Sequence, residues 1–107
     1  MAARDREAQG EFDKAIALFT AAHQNDPTNP DAALGAARCA VEKGDWQLAT
    51  SWGQRAMEVQ PNNPELRLIL ARAWGALNNR ARAKAELQQV LNKNPNHEEA
   101  KALLKSL

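Results

Sequence analysis

Residues 44–49 read GDWQLA, and this stretch decides the fold because the chain repeats it. Residues 10–15 read GEFDKA, with the glycine and the final alanine 34 positions before their counterparts. The prolines that close successive segments, Pro27, Pro61 and Pro95, are also 34 residues apart. Self-similarity at a fixed period of this length is typical of repeat architectures, in which each unit packs against its neighbours.

Length and composition limit the class of protein. The chain has 107 residues, which favours one domain, and its formal net charge of +1 selects neither nucleic acid nor a membrane surface as a partner. A single cysteine, Cys39, allows no internal disulfide and no cysteine-pair metal site. No apolar run is long enough to span a bilayer, and residues 1–10 lack the apolar segment of a secretory signal. We therefore expect a cytoplasmic protein, unless a longer parent chain carries a targeting signal.

Helix start and stop signals recur between the prolines. Asn29-Pro30-Asp31 and Asn63-Pro64-Glu65 each combine an N-cap asparagine, a proline suited to the first helical position and an acid for the first turn. Gly44 and the Asn78-Asn79 pair predict tight turns, since glycine and asparagine tolerate a left-handed backbone. No stretch alternates as a strand does. The predicted helices cover residues 30–43, 46–59, 64–77, 80–93 and 97–106.

The two ends of the chain follow the period less closely. At the start, we expect a short polar helix over residues 1–9, a break at Gly10 and an amphipathic helix over residues 12–24. At the other end, Asn96 is predicted to cap the last helix, with Glu99 as the acid of a capping box.

Taken together, these features resemble the tetratricopeptide repeat family, whose units are 34-residue helix–turn–helix pairs with small residues where the helices cross. The resemblance implies an all-α fold, namely a short right-handed α-solenoid of about two and a half repeats plus a C-terminal capping helix. Its expected units are a partial repeat at 1–29, repeats at 30–63 and 64–97, and a cap at 98–107. The family's small positions correspond to Ala37 and Ala71 in the first helices and to Ala15, Ala49 and Ala83 in the second helices.

One position departs from the family pattern. Gly53 stands where a large residue is expected, and glycine inside a helix costs about 1 kcal/mol relative to alanine. We hypothesise that Trp74 of the next repeat fills the space beside it.

Little in the sequence suggests catalysis. His23 and His97 have no ligand spacing around them and are predicted at the surface, while Cys39 lies in an alanine-rich helix and is predicted to pack as a small apolar residue. No glycine-rich phosphate loop is present, so we expect no cofactor, no metal and no enzymatic activity. Tryptophans near arginines could stack on single-stranded nucleic acid, but core packing is the favoured reading and we expect no nucleic-acid partner. These tryptophans are Trp46, Trp52 and Trp74.

The resemblance places the candidate site on a concave groove lined by the first helices. Leu34, Arg38 and Val41 share one helix stripe, and Leu68 and Arg72 share the next. The stripes predict exposed groove positions at these residues. Arg4, Arg38 and Arg72 are 34 residues apart, so stacked repeats would align them as a basic ladder that suits an acidic partner segment. The alternative is that Asp31, Glu42 or Glu65 neutralises these arginines.

The resemblance therefore implies a non-catalytic protein–protein interaction module, an adaptor or scaffold that binds a partner segment. Some members of the family clamp a chaperone's terminal carboxylate, but among the matching positions only Arg38 is polar in a helpful sense. Glu65 would repel an acid, and the remaining positions, Leu34, Gly35 and Ile69, carry no charge. The second hypothesis is self-association. The partial first repeat is expected to leave an apolar face open around Phe12, Ile16 and Phe19, which another chain could cover.

Overall fold

A computed structural model describes the backbone of residues 2–107 and the side chains of residues 10–107. Within this part the chain forms six α-helices and no strand, so the predicted all-α fold is confirmed. None of these helices combines the length and apolarity needed to cross a bilayer. The helices are α1 (Ala2–Asn25), α2 (Pro30–Lys43), α3 (Trp46–Val59), α4 (Pro64–Ala76), α5 (Arg80–Lys93) and α6 (Glu98–Ser106).

The predicted helix starts form as their sequences indicate. The carboxamide oxygens of Asn29 and Asn63 accept hydrogen bonds from the backbone N–H two residues on, at 2.9 and 3.0 Å. Each asparagine thus satisfies one of the free N–H groups at the start of a helix. The turns also match, because Gly44 and Asn78 adopt the left-handed backbone with φ of 83° and 63°.

The predicted break at Gly10 is wrong, because α1 runs through it without interruption. The physical reason lies in the next residue. Gly44 is followed by Asp45, whose carboxylate accepts the N–H of Leu48 at 3.1 Å and starts a new helix. Gly10 is followed by Glu11, a poor N-cap residue, so no cap favours a new start there.

The predicted cap of the last helix is also wrong. His97, not Asn96, caps α6, and its Nδ1 accepts the backbone N–H of Ala100 at 3.2 Å. His97 occupies the register of Asn29 and Asn63, so the 34-residue period could have identified it. Glu99 does not form a capping box, since its carboxylate reaches across to Arg72.

The helices form two rows. Contacts join α2 to α4 and α4 to α6, and each of these helices also packs against the odd-numbered helices beside it in the chain. We call the open side of the α2, α4 and α6 row the inner face. Alanines make the close crossings, and Ala36, Ala37 and Ala49 are fully buried. Small side chains let the backbones approach, and the large side chains between them fill the remaining space.

At two glycines a large side chain of the neighbouring helix occupies the space that a Cβ would take. The ring of Phe19 on α1 lies over Gly35 on α2. At Gly53 on α3 the space is filled by Leu70 of α4, so the hypothesis that Trp74 fills it is wrong. Trp74 is half-buried and stacks under the guanidinium of Arg82, which lies 4.4 Å from the ring centroid.

The surface position predicted for His23 is wrong as well. Its ring is half-buried and meets Trp52 edge-on, with centroids 5.3 Å apart, and its Nδ1 is buried without a hydrogen-bond partner. Trp52 is buried in the core, as the packing interpretation of the tryptophans predicted, whereas Trp46 and Trp74 are half-buried. Cys39 is half-buried, and its desolvation raises the pKa of the thiol.

Candidate functional site

An ion pair joins α2 to α4 on the inner face. Arg38 donates from Nε and Nη2 to the two carboxylate oxygens of Glu65, at 2.5 and 2.7 Å. This two-point contact is the strongest geometry that a guanidinium makes with a carboxylate. Both side chains stay about half exposed, so the pair lies in the open face and not in the core.

A second pair repeats the first one unit further along. Arg72 of α4 pairs with Glu99 of α6, and both residues are 34 positions after their counterparts in the first pair. Each arginine therefore contacts the acid 27 residues after it. The same step from Arg4 leads to Asp31, but the side chain of Arg4 lies outside the described residues.

Pairing with an acid balances the positive charge that the predicted ladder would carry at Arg38 and Arg72. The hydrogen bond to Glu65 raises the pKa of Arg38, and the reciprocal hydrogen bond from Arg38 lowers the pKa of Glu65. Both groups are thus held in their charged forms. Of the three acids considered as neutralising partners, Glu65 makes the contact with Arg38.

A cleft of about 420 Å³ lies between the two pairs. Its walls carry both arginines and three acids, and its floor is apolar. We call it the polar cleft. It is lined by Arg38, Val41, Glu42, Glu65, Leu68, Ile69, Arg72 and Glu99.

The structure brings most of the predicted site residues together, with two differences in exposure. Arg38, Val41, Leu68 and Arg72 line the polar cleft. Leu68 was predicted to be exposed, but it is only 6% exposed and forms part of the floor of the cleft. Leu34 is 5% exposed, lies in the core with Trp52 and does not line the cleft. Its predicted exposure is wrong because α1 and α3 both pack against α2 and cover that side.

A second cleft, of about 350 Å³, opens beside the first and is lined by residues of α4, α5, α6 and the start of α3. We call it the apolar pocket. It shares Arg72 with the polar cleft and is otherwise mostly apolar. Its walls are Trp46, Ala71, Arg72, Gly75, Ala76, Leu87, Leu103, Ser106 and Leu107.

Sequence reasoning missed several of these residues. Glu99 had a signal, since it follows Arg72 by the same step that separates Arg38 from Glu65. The contribution of Trp46 and Leu107 to one pocket had none, because they are far apart in sequence and belong to different repeats. Within residues 10–107, no group of three or more His, Cys, Asp or Glu side chains is placed to hold a metal ion.

Comparisons with known proteins identify the family of this chain. The sequence profile of the tetratricopeptide repeat family matches residues 7–52 and 44–107. The chain therefore belongs to the tetratricopeptide repeat family, as its 34-residue period indicated.

Two individual proteins illustrate the range of its relatives. The chain is 33% identical over 89 residues, or 83% of its length, to cellulose synthase operon protein C of Pseudomonas fluorescens (strain SBW25), and spans 7% of that protein. Its fold is similar to the first tetratricopeptide repeat domain of Spaghetti (RPAP3) bound to the HSP90 peptide SRMEEVD, with a TM-score of 0.84 and 26% identity. That likeness covers 92% of this chain and 78% of the other. The similarity supports a helical repeat module for protein–protein interaction.

Proposed function

We propose that this module is non-catalytic and binds an extended segment of a partner protein along its inner face. The observation that carries the proposal is the polar cleft, in which two ion pairs one repeat apart stand over an apolar floor of Leu68 and Ile69. Peptide sites combine these two elements, because apolar contacts supply affinity and a few polar groups fix the orientation.

The ion pairs leave hydrogen-bonding capacity for a ligand. Arg38 uses Nε and Nη2 on Glu65, so its Nη1 can still donate, and each carboxylate oxygen of Glu65 can accept a further hydrogen bond. An extended peptide backbone presents N–H and C=O groups in alternation and can use both. Binding through these groups would leave the pairs intact.

A more specific version of the proposal is that the partner segment is acidic. Its carboxylates would have to displace Glu65 or Glu99 from the arginines, and the cleft has one more acid than it has arginines. The likeness to a domain solved with a peptide that contains two consecutive glutamates supports a peptide partner. The positions that matched the chaperone-tail site do not favour that ligand, because Leu34 and Ile69 are buried and Arg38 is already paired with Glu65.

Random dodecapeptides displayed on phage and selected on the folded domain would test the proposal. Titration of the selected peptides into ¹⁵N-labelled protein should shift the amide signals of α2 and α4 around Arg38 and Arg72. The Arg38→Gln/Arg72→Gln variant should bind at least about ten-fold more weakly. Lys84→Gln, an exposed cation on the outer helix α5, is the matched control and should bind as the wild type does.

The acids supply the complementary measurement. If the partner segment is acidic, Glu65→Gln/Glu99→Gln should bind it more tightly, since the competing carboxylates are gone. Unchanged or weaker binding by this variant would contradict an acidic partner segment. It would leave the proposal of binding along the inner face intact. Selected peptides that shift only the amide signals of the outer helices would contradict binding along the inner face.

Self-association is the second candidate function, and one observation favours a particular place for it. The expected open face is partly closed, because Phe12, Ile16 and Phe19 are half-buried and Phe19 packs on the core. On the same helix, Leu18 is 73% exposed. A concentration series in the analytical ultracentrifuge with wild type and Leu18→Glu tests it. A dimer that Leu18→Glu abolishes would support self-association, and a monomer at all concentrations would reject it.

A further inference from the structure

We propose that the apolar pocket beside Arg72 is an anchor site that takes one large apolar side chain of the partner segment. This inference rests on the proposed function and adds a partner class, a segment in which a leucine, methionine or phenylalanine adjoins the polar stretch. Arg72 belongs to both cavities, so a ligand in the polar cleft can continue into the pocket without leaving the protein surface.

The chemistry of the walls selects an apolar group. Leu87, Leu103 and Leu107 face the pocket, together with Ala71 and Ala76. The walls offer no uncompensated charge, because the charge of Arg72 is balanced by Glu99, and the hydroxyl of Ser106 donates to the carbonyl of Leu103 at 2.7 Å. Trp46 contributes an aromatic side chain to the wall. A charged group in the pocket would lose water and gain little in return.

The size of the pocket selects a single side chain over a second copy of the domain. Ligand pockets range over about 300–1,000 Å³, and the pocket of about 350 Å³ is near the lower limit. A stable protein–protein interface buries about 1,200–2,000 Å² in total, of which such a pocket could supply only a small part. Glycine at position 75 keeps the pocket open, since a Cβ there would lie 3.2 Å from Cδ2 of Leu107.

The test uses blocked amino acids as probes on the whole 107-residue domain. Acetyl-leucine amide and acetyl-phenylalanine amide, titrated to tens of millimolar, should give saturable ¹⁵N shifts at Gly75, Ala76 and Leu107. Acetyl-serine amide should not. Equal shifts with the serine probe would overturn the anchor site.

A plugged pocket supplies the variant. Ala76 is exposed and lines the pocket, so Ala76→Leu fills it from the rim without entering the core. This change should abolish the probe-induced shifts and weaken selected peptides with an apolar anchor by about ten-fold or more. Ala102→Leu, the same change at an exposed position of α6 away from both cavities, should leave binding unchanged.

The outcomes separate this inference from the proposed function. Peptides that bind the polar cleft equally in wild type and Ala76→Leu would overturn the anchor site. The proposal that the inner face binds a peptide would still hold. Apolar probes that bind the pocket, with no peptide binding the cleft, would support the pocket and contradict peptide binding. Signals of the pocket that shift with protein concentration alone, and stop shifting in Ala76→Leu, would show a second copy as the occupant and overturn the inference.

Discussion

A Cβ atom on Gly53 would lie 2.6 Å from Cδ2 of Leu70, so these two residues form a small–large pair across the α3–α4 contact. At the α1–α2 contact the order is reversed, because the large residue is Phe19 on the earlier helix and the small one is Gly35 on the later helix. The two equivalent contacts thus differ in which helix supplies the large side chain. Close packing requires the pair to match in total volume more than it requires a particular residue at either place.

Substitution of the two residues, singly and together, should reveal this coupling. Gly53→Leu should lower the free energy of unfolding by about 1–3 kcal/mol through overpacking, although leucine is the better helix former. Leu70→Ala should lower it by about 2–5 kcal/mol through the cavity that it leaves. The double variant should be more stable than the sum of the two effects predicts, by about 1 kcal/mol or more. Urea unfolding of the four proteins measures the coupling, and simple additivity would show that the two side chains do not share one space.

Substitution by alanine should change stability in opposite directions at two equivalent glycines of successive repeats. Gly44 has a φ of 83°, a conformation that costs other L-residues about 1–2 kcal/mol, so Gly44→Ala should destabilise the protein by about that amount. Gly10 lies inside α1, and among the described side chains and the other helices nothing is within 4 Å of an added Cβ, so Gly10→Ala should stabilise the protein by up to about 1 kcal/mol. Thermal unfolding followed by circular dichroism compares them. A loss of stability in Gly10→Ala would indicate that a turn forms there after all.

Substitution by phenylalanine should also change stability in opposite directions at the two histidines. The buried Nδ1 of His23 has no hydrogen-bond partner, and an unsatisfied buried polar atom costs about 1–3 kcal/mol. His23→Phe keeps an edge-on ring against Trp52 and should stabilise the fold by about 1 kcal/mol. His97→Phe removes the N-cap of α6 and should destabilise it by about 1 kcal/mol. Chemical denaturation at pH 7.5 measures both, and a destabilised His23→Phe would mean that Nδ1 is paired in solution.

The Arg38–Glu65 pair should make part of the stability depend on acid pH. The pKa of Glu65 is lower in the folded chain than its ordinary value of 4.5, so its contribution is complete above that value and is lost as the pH falls through the folded pKa. Because the side chains are about half exposed, the contribution should stay below about 1 kcal/mol.

Urea unfolding at pH 7 and pH 3 tests this dependence. Wild type should lose more stability between the two values than Glu65→Gln does. Glu58→Gln, an exposed acid of the outer helix α3, serves as the control and should behave as the wild type. An equal loss in wild type and Glu65→Gln would show that the pair contributes nothing to stability.

Sequence alone determined the helical architecture, because its signals are local and repeated. The period of 34 residues, the asparagine caps and the left-handed turns at Gly44 and Asn78 each act within a few residues of chain. The same period aligned Arg38 with Arg72 and could have identified His97 as a cap. It failed at Gly10, where the register continues but the capping residue that makes the turn is replaced by glutamate.

Tertiary structure alone decided which side chains face the solvent and which meet. Leu34 and Leu68 occupy equivalent stripes and were both expected to be exposed, yet both are buried in the core, and only Leu68 also lines the polar cleft. Leu70 and not Trp74 covers Gly53, and Trp46 and Leu107 line the same apolar pocket. A helical period fixes the direction of a side chain around its own helix, whereas burial depends on the distance and tilt of the neighbouring helices, which the side chains of all of them determine together.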